Sequence, residues 1–190
     1  MQVFDFNEYM ASVRDYGDKK ESLGENDFEA LCARVKQAFY KDWENRESSR
    51  LTLEIQKKAI IGYGREKGFF INRISELLRS FGAEGTGFPE WYDSLPEAVY
   101  HENWGLAGMS EWFSPKFANS SSAKIIGGRI YFLENGCMMQ KPQTISADRF
   151  SQLIKAFLLL TPEERMDKEY HETYLLDGTR VTIYNPFALL

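Results

Sequence analysis

Chemistry at a phosphate is the first possibility to hold against the residues. A P-loop needs Gly-x4-Gly-Lys-[Ser/Thr], so that backbone N–H groups cradle phosphates and the lysine meets the outer ones. Gly82 and Gly87 have the glycine spacing, but Phe88-Pro89 stands where Lys-[Ser/Thr] is required. Gly62-x-Gly64 begins a dinucleotide pattern that Lys67 breaks at the third glycine. Both segments read instead as helix stops and linker. His101 and His171 are the only histidines, each beside a glutamate, Glu102 and Glu172. Neither has a nucleophile partner, and no second Cys or His stands at metal-ligand spacing. Asp177, next to Gly178, reads as a turn former rather than a catalytic carboxylate. Glu163-Glu164 reads as a helix cap, and Glu169 through Glu172 as a solvated strand face. Trp91, Tyr92, Trp104, Trp112 and Phe113 have the ring faces to stack a ligand. In an acidic chain, at helical spacing, they read as a packing layer between two halves of the molecule. No catalytic residue and no metal ligand is therefore expected from the chain alone.

Bulk properties narrow the classes further. The chain has 190 residues, 43% hydrophobic and 27% charged, the balance of an ordinary globular protein. A net charge of -5 argues against nucleic acid as a partner, since that binding rests on phosphate neutralisation by Lys and Arg. Lys57-Lys58 with Arg65 and Lys67 is the one local basic patch. Cys32 falls in a helical pattern and Cys137 in a strand pattern, and both are expected as buried free thiols in a reducing compartment. No stretch approaches the roughly 20 apolar residues that span a bilayer, and the N-terminus lacks a basic start and apolar run. A cytoplasmic location follows as the expectation.

The elements that must position any site divide in two. Residues 1–24 read as a loosely held arm. Asn26 with Glu29 forms a capping pair, and Phe28, Leu31, Cys32, Val35, Phe39 and Trp43 then recur at helical spacing. A second helix, Leu51–Tyr63, carries Leu51, Ile55, Ala59 and Ile60, with Gly62 and Gly64 read as its end. A third, Lys67–Phe81, carries Phe70, Ile74, Leu77, Leu78 and Phe81. Gly82–Pro89 is the linker, with three glycines and a proline in eight residues. Pro96 opens a short helix through Tyr100 and His101. Strands follow at Lys124–Ile126, Arg129–Glu134 and Cys137–Gln140, the last two joined by Asn135-Gly136. Ser146 caps a helix to Leu160 whose Phe150, Leu153, Ile154, Phe157 and Leu158 can cover a sheet. Thr161-Pro162-Glu163-Glu164 starts another helical turn. Two strand-forming runs, Tyr170–Leu176 and Thr179–Tyr184, flank Asp177-Gly178, with Thr179, Val181 and Ile183 facing one way and Arg180, Thr182 and Tyr184 the other. Pro186 stops that ladder, and the apolar Phe187–Leu190 end is expected to be covered.

The Asp177-Gly178-Thr179-Arg180-Val181 hairpin followed by a proline resembles a mark of the type II/IV secretion ATPases, most closely the tight-adherence (Flp) pilus-assembly kind. Ser122–Glu134 with Asn135-Gly136 is similar to that family's first strand pair, and Ser146–Leu160 to its sheet-packing helix. The likeness covers Ser122–Asn185, with Phe88–Phe113 a weaker addition. It implies an N-terminal domain lying before a linker and a P-loop core. Such domains self-associate in a hexameric ring, close over nucleotide held by the C-terminal ATPase core, and touch an inner-membrane platform protein. The resemblance places ATP and Mg in the full-length family and no cofactor in this chain alone. Arg180 inherits the expectation of approaching nucleotide phosphate. An always-charged fork on a rigid strand suits two-point contact with phosphate, and equally suits a solvated sheet face.

The expected fold class is α+β: a helical N-terminal region over residues 1–87, then an α+β domain over 88–190 with an aromatic-rich lead-in and an antiparallel sheet packed by helices. Two other readings fit the same residues, a stand-alone protein–protein interaction domain and a small-ligand sensor domain.

Overall fold

The structure, a computed structural model, describes residues 28–44, 49–158 and 170–184. The expected N-terminal arm, the Asn26 cap, the helical turn at Thr161–Glu164 and the Pro186–Leu190 end lie outside the described residues, as do the side chains of Trp43 and Leu51. The fold is α+β. Helices α1 (Phe28–Glu44), α2 (Ser49–Ile61), α3 (Gly64–Phe81) and α4 (Leu95–Asn103) come first. Two short 3-10 helices, Ala107–Phe113 and Pro115–Phe117, lead into strands β1 (Ala123–Ile126), β2 (Arg129–Glu134) and β3 (Cys137–Thr144). Helix α5 (Ala147–Leu158) and the hairpin β4 (Tyr170–Tyr174) and β5 (Arg180–Tyr184) complete the described order.

The helical half closes around aromatic rings. Helical spacing on α1 and α3 turns Val35, Phe39, Phe70 and Ile74 into one core, with Val99, Tyr100 and Trp104 of the α4 region. Phe70 stacks on Phe39 at 5.7 Å and 17°, and Trp104 lies 4.5 Å from Phe39 and 5.2 Å from Phe70. Asn103 Nδ2 donates to Cys32 O at 3.0 Å, pinning the end of α4 to α1. At the end of α3, Gly82 takes φ 66, and Ala83 N–H donates to Leu78 O at 2.9 Å, so the freed carbonyls are satisfied. Gly64 differs from expectation. Only Gly62, at φ 113, terminates α2; Gly64 opens α3, because a left-handed residue is needed just once to reverse the chain. Ser94 Oγ accepts from Glu97 N at 3.4 Å and Pro96 sits in the first turn, so α4 starts where the proline placed it.

The five strands form two antiparallel sheets, β1-β2-β3 and β4-β5, rather than the single five-stranded sheet expected. The hairpin tip is instead tied to the helical half, with Leu176 N–H donating to Ile61 O at 2.9 Å. Asn135 (φ 51) and Gly136 (φ 81) both take left-handed backbone, the mirror-type turn this pair favours. Strand β3 runs on through Pro142 to Thr144, four residues past the expected end. Its register to β2 shifts there: Gln140 faces Tyr131 and Thr144 faces Arg129. A proline with no N–H to give is tolerated at such an irregularity. Ser146 caps α5, its Oγ accepting from Arg149 N at 3.2 Å. Ile130, Phe132, Ile145, Leu153, Phe157 and Leu175 form the core between α5 and the strands, with Ile60 of α2 reaching into it. Cys32 is buried, but Cys137 is exposed, a correction to the expected pair of buried thiols. It follows the Asn135-Gly136 turn directly, where the strand has just left solvent.

Candidate functional site

Arg180 is the first residue of β5, opposite Tyr174 in register. The turn before it is longer than a two-residue loop. Only Gly178 takes positive φ, at 86, and Asp177 Oδ1 accepts from Thr179 N–H at 2.9 Å. Leu175 N–H donates to Thr179 O at 2.9 Å, so the pairing closes one residue beyond each strand. Asp177 is thus held as a turn former. Strand alternation puts Tyr170, Glu172 and Tyr174 of β4 on one face with Arg180, Thr182 and Tyr184 of β5. All three tyrosines are exposed, while His171 and Thr173 on the opposite face are buried. The Arg180 side chain is 63% exposed and leans to Glu172 at 3.6 Å. An exposed pair at that length holds its partner weakly, leaving the guanidinium able to exchange Glu172 for a phosphate.

A second group of polar side chains meets at the C-terminus of α4. Arg149, one turn into α5, donates from Nη2 to His101 O at 3.2 Å and to Gly105 O at 2.5 Å. The first is a last-turn carbonyl of α4 and the second lies just beyond the helix end, where a cation is favoured. The His101 ring lies parallel to Tyr92 at 6.0 Å and 8°, and its Nδ1 accepts from Leu106 N–H at 3.2 Å. A Cβ on Gly105 would meet that Nδ1 at 2.6 Å, so the close approach requires glycine. The Tyr92 hydroxyl donates to Glu102 Oε1. Burial, followed by the Lys67 and Arg149 charges, brings His101 down to about 3, so the ring is neutral at ordinary pH. Burial raises Glu102 even though the Tyr92 hydrogen bond opposes it. Burial and then Arg149 lower Lys36 to about 8. Lys67 itself pairs with Glu97 at 2.9 Å. With His101 engaged by a backbone donor, this group joins α5 to the helical half and presents no arranged nucleophile and base.

Two further features lie along the sheet. Gln143 of β3 is buried and donates to Glu111, whose other oxygen accepts from Lys116 Nζ at 2.8 Å. A cleft of about 560 Å³ opens between the Gly127-Gly128 turn and α5, lined by Ile145, Phe150 and Ile154 with Lys155 at its edge. A Cβ on Gly128, at φ 79, would meet Ile145 O at 2.4 Å, so the wall of that cleft depends on glycine.

The structure therefore brings Arg180 to an exposed face and sets His101 and His171 far from it in role, one at a helix end and one in the interior. Sequence reading missed Arg149, Lys36, Glu111 and Gln143. The Gln143–Glu111 and Arg149–His101 bonds join residues 32 and 48 positions apart, beyond any local signal. Among the described residues, no group of three or more His, Cys, Asp or Glu is placed to hold a metal, and no helix is long and apolar enough to cross a membrane. No family model matches the chain, and neither a curated protein nor a solved structure matches it.

Proposed function

We propose that the chain is an N-terminal, ring-forming regulatory and assembly domain of a secretion or pilus-assembly ATPase, without catalysis of its own. The observation that carries this reading is the β4–β5 hairpin. Its glycine turn fixes Arg180 at the start of a paired strand, on the exposed face, with only a long contact to Glu172. The preceding order of three strands, a helix and two strands is consistent with the same reading. ATP and Mg would lie against a downstream P-loop core, and Arg180 is the residue here suited to hold phosphate by two-point contact. Closure of this domain on that core around nucleotide is the motion the reading requires, and platform and ring contacts would be made by the same domain. The predicted location is the cytoplasm, at the inner face of the membrane.

A second reading, a protein–protein interaction domain, is favoured by the exposed Tyr170, Tyr174 and Tyr184 on the hairpin. The coding sequence downstream of Leu190 separates the two. The ATPase reading predicts that it continues through a linker into Gly-x4-Gly-Lys-[Ser/Thr]. A natural stop codon at that point would remove the ATPase reading and leave the interaction domain.

A further inference from the structure

The outward face of the β4–β5 hairpin carries three cross-strand pairs in a row: Tyr170 with Tyr184, Glu172 with Thr182, and Tyr174 with Arg180. Directly opposite residues stand about 5 Å apart at Cβ, so each pair is one rung of a strip two strands wide. Arg180 and Tyr184 are four residues apart, about 13 Å along β5. The reverse face meets the core: His171 and Thr173 are buried, and Val181 and Ile183 pack against the cluster between α5 and the strands. Among the described residues, the outward rings join neither core cluster. Tyr170 is 52% exposed, Tyr174 59% and Tyr184 75%.

The rungs differ in chemistry, and their order is that of a nucleotide. Arg180 Nη1 leans to Glu172 Oε1 at 3.6 Å, so the guanidinium reaches from its own rung toward the middle one. Glu172 also accepts from Thr182 Oγ1 at 3.5 Å, so the middle rung holds a carboxylate and a hydroxyl. The rung beyond has two neighbouring phenol rings and no charge. Bases stack on such rings through their π faces, while an arginine meets phosphate. We infer that Tyr170 and Tyr184 form the platform for the base of a bound nucleotide, with its ribose over Glu172 and Thr182 and its phosphate at Arg180. This rests on the nucleotide reading of Arg180 and adds to it the residues that hold the base. Phosphate arriving at Arg180 displaces Glu172, whose carboxylate then accepts from the ribose hydroxyls. Arg180 is the single cation on the strip. It suits the phosphates of one nucleotide and not a polynucleotide, which requires a row of cations.

The test titrates ATP and inorganic tripolyphosphate, each with Mg, into the full natural polypeptide by calorimetry. Wild type is compared with the Tyr170→Ala/Tyr184→Ala and Tyr170→Phe/Tyr184→Phe double variants and with Arg180→Ala. Thermal melts establish that the variants fold, and Tyr184→Ala alone replaces the double alanine variant if that one melts early. The inference predicts that the alanine variant binds ATP about tenfold or more weakly and tripolyphosphate as wild type does. The phenylalanine variant, which keeps both rings, should bind ATP as wild type does. Unchanged ATP affinity in the alanine variant, or an equal loss for tripolyphosphate, would overturn the inference. If Arg180→Ala weakens ATP binding while the alanine variant does not, the base platform falls and the phosphate contact stands. If wild type binds no ATP, both fall.

Discussion

Phe70→Ala is expected to lower the unfolding free energy by about 3–5 kcal/mol, the range for removing a fully buried aromatic ring. Phe70 is 0% exposed and sits at the centre of the helical half. It contacts Phe39 at 5.7 Å, Trp104 at 5.2 Å and Tyr100 at 5.7 Å, so its loss opens a cavity bounded by rings that cannot all collapse into it. The rings come from α1, α3 and the α4 region, and one deletion loosens all three contacts. Urea denaturation followed by tryptophan fluorescence measures the effect. A loss below about 1 kcal/mol would mean that the aromatic layer does not organise this half.

Stability should also fall in acid through His101, by about 1–2 kcal/mol between pH 7 and pH 5. Folding lowers this imidazole from 6.5 to about 3, so the unfolded chain binds the extra proton anywhere between those values. Stability is therefore unaffected above pH 6.5 and declines as pH falls toward 3. Glu102 acts in the opposite sense, because its raised carboxyl takes up a proton more readily in the folded chain. Lys36 is shifted only in the alkaline range, between about 8 and 10.5, and does not alter the acid slope. His101→Gln keeps an acceptor for Leu106 N–H while removing the titration. Its urea stability should change less than wild type between pH 7 and pH 5, and parallel curves would contradict the assignment.

Features written in neighbouring residues were legible in the sequence. Ser146 caps α5, Asn135-Gly136 makes the turn between β2 and β3, Pro96 sits in the first turn of α4, and Gly62 stops α2. The α+β class followed from the change of period between Phe81 and Ala123. Where two local signals competed, the sequence left the outcome open: Gly62 and Gly64 are equal candidates for a helix stop until packing selects one. The expected strand ending at Gln140 stops short of Pro142, and the register shift against β2 is where β3 passes through that proline. The division of five strands into two sheets, like the bond from Leu176 N–H to Ile61 O, involves distant parts of the chain. Arg149 was invisible for the same reason, since its carbonyl partners at His101 and Gly105 lie at and just beyond the end of another helix. Arg180 was singled out by the resemblance of its hairpin, and the local strand pairing fixes the face it stands on.

The central claim is that Arg180 forms part of a nucleotide site completed by a downstream core. It is tested most directly by titrating a fluorescent ATP analogue, with Mg, into the polypeptide that joins this chain to that core, as wild type and as Arg180→Ala. The account predicts affinity about tenfold weaker or more in the variant, the scale of one lost charge-assisted contact, with thermal stability unchanged. Equal affinity in the two proteins would contradict it and leave Arg180 as a solvated residue on the outer face of the hairpin.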